Sequence, residues 1–425
     1  MPKSVPGSLR FLLATLPQKG HLNPMIGVAQ ELCALGMELR IYTPGDCSAQ
    51  LSAAGLQRTG CPVIETAYLW PEEHCSSGAL FAERSQDAAW LRRWIRRLLL
   101  DTVHDEVDGL RALLRDLRPD VLVVDPMYYA AIIAAQCEDL PWVGVSSSLN
   151  FVTPKHWKSP LVATIDALDE ERKQLFAGYG SCPAFRVCDA VSPWLNVVFT
   201  TERYVSSELC ADSPAFRVGP TAPVGRRGDE VEFAWDRLDE TSSLIYMSLG
   251  SQNFSHERVF SCVVSSLSSA LESGQVQLVL ALHDLIDSDF ARALPAGVIA
   301  LRYAPQLELL KRAALVVSHG GANTVMESLH QGVPLLLIPM VNDQHLQGKF
   351  LARSQAGIVL DPANMSEASC KAAIATLLAP NNQYRHNAVE IGRSYRARKG
   401  AAESAGLIVE VATRKETLRP RGALK

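Results

Sequence analysis

Short runs of aliphatic and β-branched residues alternate with helix-length segments twice along this chain. The two series are separated by Gly219–Glu240 (GPTAPVGRRGDEVEFAWDRLDE), a stretch rich in glycine, proline and charge. Strands joined through helices must run parallel, with right-handed crossovers and helices covering both faces. The first series reads as strands over Leu9–Leu16, Met37–Tyr42, Val121–Val124 and Trp142–Val145. The second reads as strands over Leu244–Met247, Val276–Ala281, Val298–Arg302, Leu315–Val317 and Leu335–Ile338. A chain of 425 residues suits two domains of about 200 residues. We expect an N-terminal domain over 1–222, a linker over 223–240, a second domain over 241–381, and a C-terminal helix and basic tail over 382–425. Two doubly wound halves are expected to face each other across a cleft, with ligands at the C-terminal ends of the strands.

Local signals refine this frame. Pro24–Leu35 has the apolar spacing of a helix, with Asn23 as N-cap, Pro24 in the first turn and Gly36 as the stop. Between Ser146 and Phe185 the alternation lapses into loops and helices; Leu149, Phe151, Trp157, Leu161 and Phe176 are expected to line an apolar pocket there. Trp90 and Trp94, four residues apart, read as core packing, and Arg92–Arg97 (RRWIRR) as a solvated helix face.

The balance of charge excludes some partners. A net charge of −4 offers no general attraction to nucleic acid or anionic membrane. The apolar run Phe11–Leu16 ends at Pro17, far short of the ~20 residues of a spanning helix, and reads as a strand, not a signal peptide. The ten cysteines include no CxxC pair. The even spacing of Cys33, Cys47, Cys61 and Cys75 is read as coincidence, and the thiols as reduced, in a cytoplasmic protein.

Chemistry concentrates after the strands. Ser318–Thr324 (SHGGANT) connects a strand to a helix through two glycines, so backbone N–H groups and a helix N-terminus are presented to an anion. Asn323, Thr324 and His319 add side-chain donors, though a Gly-Gly turn alone is also just a tight connection. Glu327, in the helix, can accept both hydroxyls of a ribose. Tyr303 and Gln306 offer an aromatic face and an amide to a pyrimidine. Asp343 and Gln344 offer polar groups to sugar hydroxyls.

The segment Tyr303–Gln344 (YAPQLELLKRAALVVSHGGANTVMESLHQGVPLLLIPMVNDQ) resembles the donor-binding box of the family-1 UDP-glycosyltransferases, which have the GT-B fold. GHLNP at 20–24, Asp125, RVGP at 217–220 and MSLGS at 247–251 agree with it. The resemblance implies that Tyr303 and Gln306 hold the base and Glu327 the ribose. It implies that Ser251, His319, Gly321, Asn323 and Thr324 hold the diphosphate, and Asp343 with Gln344 the sugar. Plant members carry Trp at the place of Tyr303, and Cys and Trp at those of Gly320 and Ala322; their segment from Tyr303 to His319 is also two residues longer. The chain is therefore more similar to the bacterial natural-product branch, whose members use UDP- or TDP-sugars. Glu327 favours a ribose with both hydroxyls, hence UDP.

The first domain is expected to supply the base. His21, directly after the first strand, suits removal of a hydroxyl proton. Asp125 would orient the ring and stabilise the imidazolium; alone, it is equally a strand-end turn residue before Pro126. The expectation is an inverting hexosyltransferase acting on a small lipophilic hydroxylated acceptor, with the UDP-sugar as co-substrate and no cofactor or metal. Asp287-Ser288-Asp289 spells a DxD but reads as helix capping. Alternatives are a nucleotide-sugar epimerase on the same fold and a non-catalytic partner protein that binds a nucleotide sugar.

Overall fold

A computed structural model describes residues 8–56, 78–85, 87–223, 225–252 and 255–420. They divide into two compact units: 8–56, 92–229 and 398–420 in the first, 78–91 and 230–397 in the second. Cys61 and Cys75 lie outside the described residues.

The first unit holds strands β1 (Arg10–Ala14), β2 (Glu38–Tyr42), β3 (Val121–Val124), β4 (Trp142–Ser146), β5 (Ala184–Arg186), β6 (Asp189–Val191), β7 (Leu195–Val198) and β8 (Phe216–Arg217). Six of them form one sheet in the order β2-β1-β3-β4-β7-β8, every neighbouring pair parallel. The order reverses between β1 and β3, whose last residues Ala14 and Val124 are paired. All four side chains of β3 are buried, as expected of a central parallel strand covered on both faces. β5 and β6 form a separate antiparallel hairpin, in a stretch where the sequence shows no alternation.

The second unit holds β9 (Ser243–Ser248), β10 (Val276–Ala281), β11 (Val298–Leu301), β12 (Leu315–Ser318), β13 (Leu335–Leu337) and β14 (Gly357–Val359), in the order β11-β10-β9-β12-β13-β14 and parallel throughout. Here the order reverses between β9 and β12, where Ser248 pairs with Ser318. Its core packs Ile245, Met247, Leu278, Leu280, Leu315 and Val317 against Phe260, Val263 and Ile374 of the covering helices.

Four local expectations change. The first helix runs Lys19–Ala34 and begins a turn before Pro24; Asn23 is therefore not its cap but bonds Gln50 and Asp229. Proline at the sixth position forfeits only the bond to Gly20, a cost borne near the helix start more easily than mid-helix. Residues 225–229 belong to the first unit, where Arg226 O accepts from Gln30 and Arg227 pairs with Asp229 at 2.6 Å. Leu149, Phe151, Trp157, Leu161 and Phe176 are all buried, Phe151 and Phe176 completely. Phe176 meets Tyr129 and Phe185 edge-on, so these residues fill a core and do not line an open pocket. Last, the stretch 382–413 is two helices, Gln383–Arg396 and Gly400–Arg414. The second returns to the first unit and packs on the helix Lys19–Ala34 and on β3 and β7. Gly400 seats it, since a Cβ there would lie 2.3 Å from Gly219 O and 2.4 Å from Pro220 O.

Trp90 and Trp94 are buried, as their spacing suggests. Arg92 and Arg93 are exposed, and Arg96 pairs with Asp101 and Glu171. Among the described residues no helix is long and apolar enough to cross a membrane.

Candidate active site

Both groups of residues singled out in the sequence stand where a parallel sheet reverses its order, the position at which open α/β sheets hold ligands. In the first unit, His21 follows β1 and Asp125 follows β3. The Asp125 N–H donates to Ala14 O at 3.0 Å, which fixes the carboxylate beside the end of β1. His21 Nδ1 lies 2.7 Å from Asp125 Oδ2; the carboxylate is buried, whereas the His21 side chain keeps 22 % of its surface. Asp125 Oδ1 accepts from Met127 N–H at 3.0 Å. This bonding assigns the ring proton to Nδ1 and leaves the lone pair on Nε2, the tautomer a general base needs. His21 sits in the first turn of its helix, where the helix dipole opposes an imidazolium; the adjacent carboxylate offsets that.

Two partners of this pair were not foreseen from the sequence. Ser147 Oγ lies 3.0 Å from His21 Nδ1, and its hydroxyl donates to Asp125 Oδ2 at 3.0 Å. Asp189, 1 % exposed, accepts from Ser146 Oγ at 2.5 Å and from Asn150 Nδ2 at 2.7 Å. Burial, and then the nearby Asp125, push the Asp189 carboxyl up to about 7. The one available signal was Ser146-Ser147-Ser148-Leu149-Asn150, a polar run directly after a buried strand.

In the second unit, β9 is followed by Leu249-Gly250-Ser251 and β12 by His319-Gly320-Gly321. Gly321 is the N-cap of the helix Ala322–His330 and brings no side chain of its own to that N-terminus. A glycine turn opening a helix is a geometry that can accept an anion. Ser251 is exposed, Asn323 half-buried and Thr324 buried. The His319 ring is held between two glycines: an added Cβ would stand 2.5 Å from Cε1 at Gly250 and 2.7 Å from Nε2 at Gly321. Burial lowers the His319 imidazole to about 4, so near neutrality it is uncharged and can only offer a neutral hydrogen bond.

Tyr303 is 49 % exposed, with the His283 ring edge-on at 5.1 Å. Gln306 is brought together with Glu327: its Nε2 donates to Glu327 Oε2 at 2.6 Å, and its Oε1 accepts from Tyr246 OH at 3.1 Å. The carboxylate and the amide thus form one cluster anchored by Tyr246, another residue the sequence did not single out. Asp343 is half-buried at the N-cap of the helix Gln344–Ser354. Gln344 is turned inward, and its Oε1 accepts from the N–H groups of Met340 and Val341. It shapes the turn that presents Asp343. Asp287 pairs with Arg302 and Asp289 with Arg292, while Ser288 caps the short helix Asp289–Arg292. Among the described residues no cluster of His, Cys, Asp and Glu has the makings of a metal site.

Comparison with known proteins gives this geometry its class. Residues 269–411 match the family model for the erythromycin biosynthesis protein CIII-like C-terminal domain. The demethyllactenocin mycarosyltransferase of Streptomyces fradiae is 25% identical over 369 residues, 83% of this chain and 75% of its own. The uncharacterized UDP-glucosyltransferase YojK of Bacillus subtilis (strain 168) is 26% identical over 420 residues, 95% of this chain and 98% of its own. Among solved structures, the spinosyn rhamnosyltransferase SpnG complexed with thymidine diphosphate superposes with a TM-score of 0.66 at 20% identity, covering 95% of this chain and 100% of that one. The fold is therefore GT-B, with two parallel sheets. Over most of its length the chain is similar to bacterial natural-product and UDP glycosyltransferases, and its C-terminal part matches an EryCIII-like C-terminal domain.

Proposed function

We propose that this glycosyltransferase moves a hexose, glucose foremost, from a UDP-sugar to a hydroxyl of a small lipophilic natural product, with inversion and without a metal. The observation that carries the reading is the His21–Asp125 contact of 2.7 Å at the reversal point of the first sheet. It supplies an oriented base for a hydroxyl proton. The acceptor hydroxyl gives its proton to His21 Nε2 while its oxygen bonds to the anomeric carbon. The bond from that carbon to the phosphate oxygen breaks, and UDP leaves with the electron pair. Asp125 stabilises the imidazolium as it forms. The N–H groups of the helix Ala322–His330, with Ser251, His319, Gly321, Asn323 and Thr324, meet the charge that develops on the leaving phosphate. Tyr303 and Gln306 serve the base, Glu327 the ribose, and Asp343 with the Gln344 turn the sugar.

The reading places the chain in the cytoplasm, where cysteine thiols stay reduced. Mass-shift screening of hydroxylated natural products, with UDP release followed in parallel, tests the reading. Release without transfer, interconversion of the donor sugar, or no turnover with any acceptor would point to an epimerase or a non-catalytic binder.

The preference for UDP rests on Glu327. A deoxyribose donor leaves one of its hydrogen bonds unmade, and a charged acceptor losing a partner costs about 1.5–3 kcal/mol, or roughly tenfold and more in affinity. UDP-glucose is expected to exceed TDP-glucose in kcat/KM by that factor. Glu327→Ala is expected to narrow the gap while weakening both. The thymidine diphosphate bound to SpnG makes the opposite outcome a serious rival: equal kcat/KM in the wild type would remove Glu327 as the selector.

The DxD carboxylates are occupied by arginines, so chelation is expected to leave the rate unchanged. Helix N–H groups and side-chain donors then do what a cation does elsewhere. An enzyme silenced by EDTA and restored by magnesium or manganese would refute this.

A further inference from the structure

We propose that Asp189 is a positioning residue for the His21–Asp125 pair, acting from its buried side through the turn formed by residues 146–150. The inference rests on reading His21 as the base. Asp189 opens the second strand of the β5–β6 hairpin, and that hairpin is fastened to the segment carrying Asp125. The Ala190 N–H donates to Pro126 O at 3.0 Å, and Tyr129 OH donates to Cys188 O at 2.5 Å. Both Asp189 oxygens then reach across to the neighbouring turn, one to Ser146 Oγ and the other to Asn150 Nδ2. Between those two anchors lies Ser147, whose hydroxyl touches both His21 Nδ1 and Asp125 Oδ2. One buried carboxylate therefore pins both ends of the turn that delivers a third group to the pair.

A buried carboxylate is an expensive choice for a purely mechanical clamp, because desolvation opposes its charged form. Its cost is legible in the upward displacement to about 7, caused first by burial and then by Asp125. The ionisable groups that face it are Asp125, His21 and Tyr129. Arg172 bonds Val187 O in the same hairpin. As pH rises through about 7, Asp189 takes up a negative charge and adds to the field that favours an imidazolium at His21. The group thus sets both the placement of Ser147 and the proton affinity of the base. A neutral amide at the same place can accept only one of the two hydrogen bonds from Ser146 and Asn150 and carries no charge.

The test follows the His21 ring in the full chain by nitrogen NMR over a pH series, with the signal assigned through His21→Gln. In Asp189→Asn the titration midpoint of His21 is expected to move to lower pH. Transfer is expected to fall about two- to tenfold in kcat, the worth of one hydrogen bond, with donor KM unchanged. Ser147→Ala is expected to lower kcat to a similar degree and to weaken the preference for the Nδ1–H tautomer. Should Asp189→Asn fail to fold, Ser146→Ala, which removes only the hydroxyl next to Asp189, carries the same expectation for kcat and tautomer. An unchanged midpoint, tautomer and kcat in folded variants would overturn the proposal. Normal transfer by His21→Ala would instead remove the base assignment, and the NMR midpoint alone would then decide the role of Asp189.

Discussion

Replacing His21 with alanine is expected to lower kcat for transfer by about 10²–10⁴-fold, the usual worth of a positioned general base, while donor affinity stays near that of the wild type. The split follows from where the residue sits. His21 and its partners Asp125 and Ser147 all belong to the first unit, whereas the phosphate turn and the Gln306–Glu327 cluster belong to the second. Removing the imidazole therefore takes away a proton acceptor and no residue of the unit proposed to hold the nucleotide. Calorimetry with UDP alongside single-turnover transfer would show both halves of the expectation. A variant that keeps more than half of the wild-type kcat would end the assignment, and one that loses UDP binding would mean that the change had reached the second unit. Asp125→Asn should likewise leave UDP binding near that of the wild type and lose nearly as much rate, because an amide holds the ring but cannot stabilise its cation.

Gly321→Ala is expected to cost about 10²-fold in kcat/KM for the donor, the scale on which misplacing one preorganised backbone donor is felt. Gly321 has φ −60 and ψ 135, which alanine adopts without strain, so the backbone itself would not object. The difficulty is the added methyl, 2.7 Å from His319 Nε2 and 2.9 Å from Cε1. The ring has no simple retreat, since Gly250 stands against its Cε1 and Nε2. Either His319 or the helix start must shift, and both belong to the surface proposed to take the diphosphate. Thermal melting should change little by comparison, because the clash is confined to a half-buried corner. Wild-type donor kinetics in this variant would show that the diphosphate does not use the Gly321 turn.

How far the sequence carried this reading differs by element. Central parallel strands were legible because burial on both faces makes them continuous aliphatic runs; β3 and β10 begin and end where those runs do. β5, β6, β7, β8 and β14 were missed: apart from β7, none is longer than three residues or has more than two buried positions, so neither period nor composition marks them, and β7 is a buried run of only four residues. The helix start was misread because proline favours a first turn, and nothing local reveals that Lys19–Asn23 already coils ahead of it. His21 was singled out by its place after a strand, whereas Asp125, alone equally a turn residue before Pro126, was singled out by the family resemblance. Ser147, Asp189 and Tyr246 were not, since each meets its partner across a long stretch of chain, 126 residues between His21 and Ser147 and 60 between Tyr246 and Gln306. Only the folded sheet order brings such pairs together. Gln306 shows the reverse case: its membership in the site was readable, but its bond to Glu327 was not.

The return of the last helix to the first unit has a practical consequence for anyone who wishes to recombine such enzymes. A cut in the segment after Pro220 does not separate two self-sufficient halves, because the N-terminal fragment leaves behind its own cover. Ile408, Val411 and Ala412 are buried in the intact chain, on a helix that packs against Lys19–Ala34, β3 and β7. A fragment lacking it would expose the apolar flank those residues seal and would tend to associate. A working hybrid must therefore take residues 398–420 from the same parent as the N-terminal half, so the natural unit of exchange is discontinuous, with breaks near residues 229 and 398 besides the segment 78–91 that groups with the second unit.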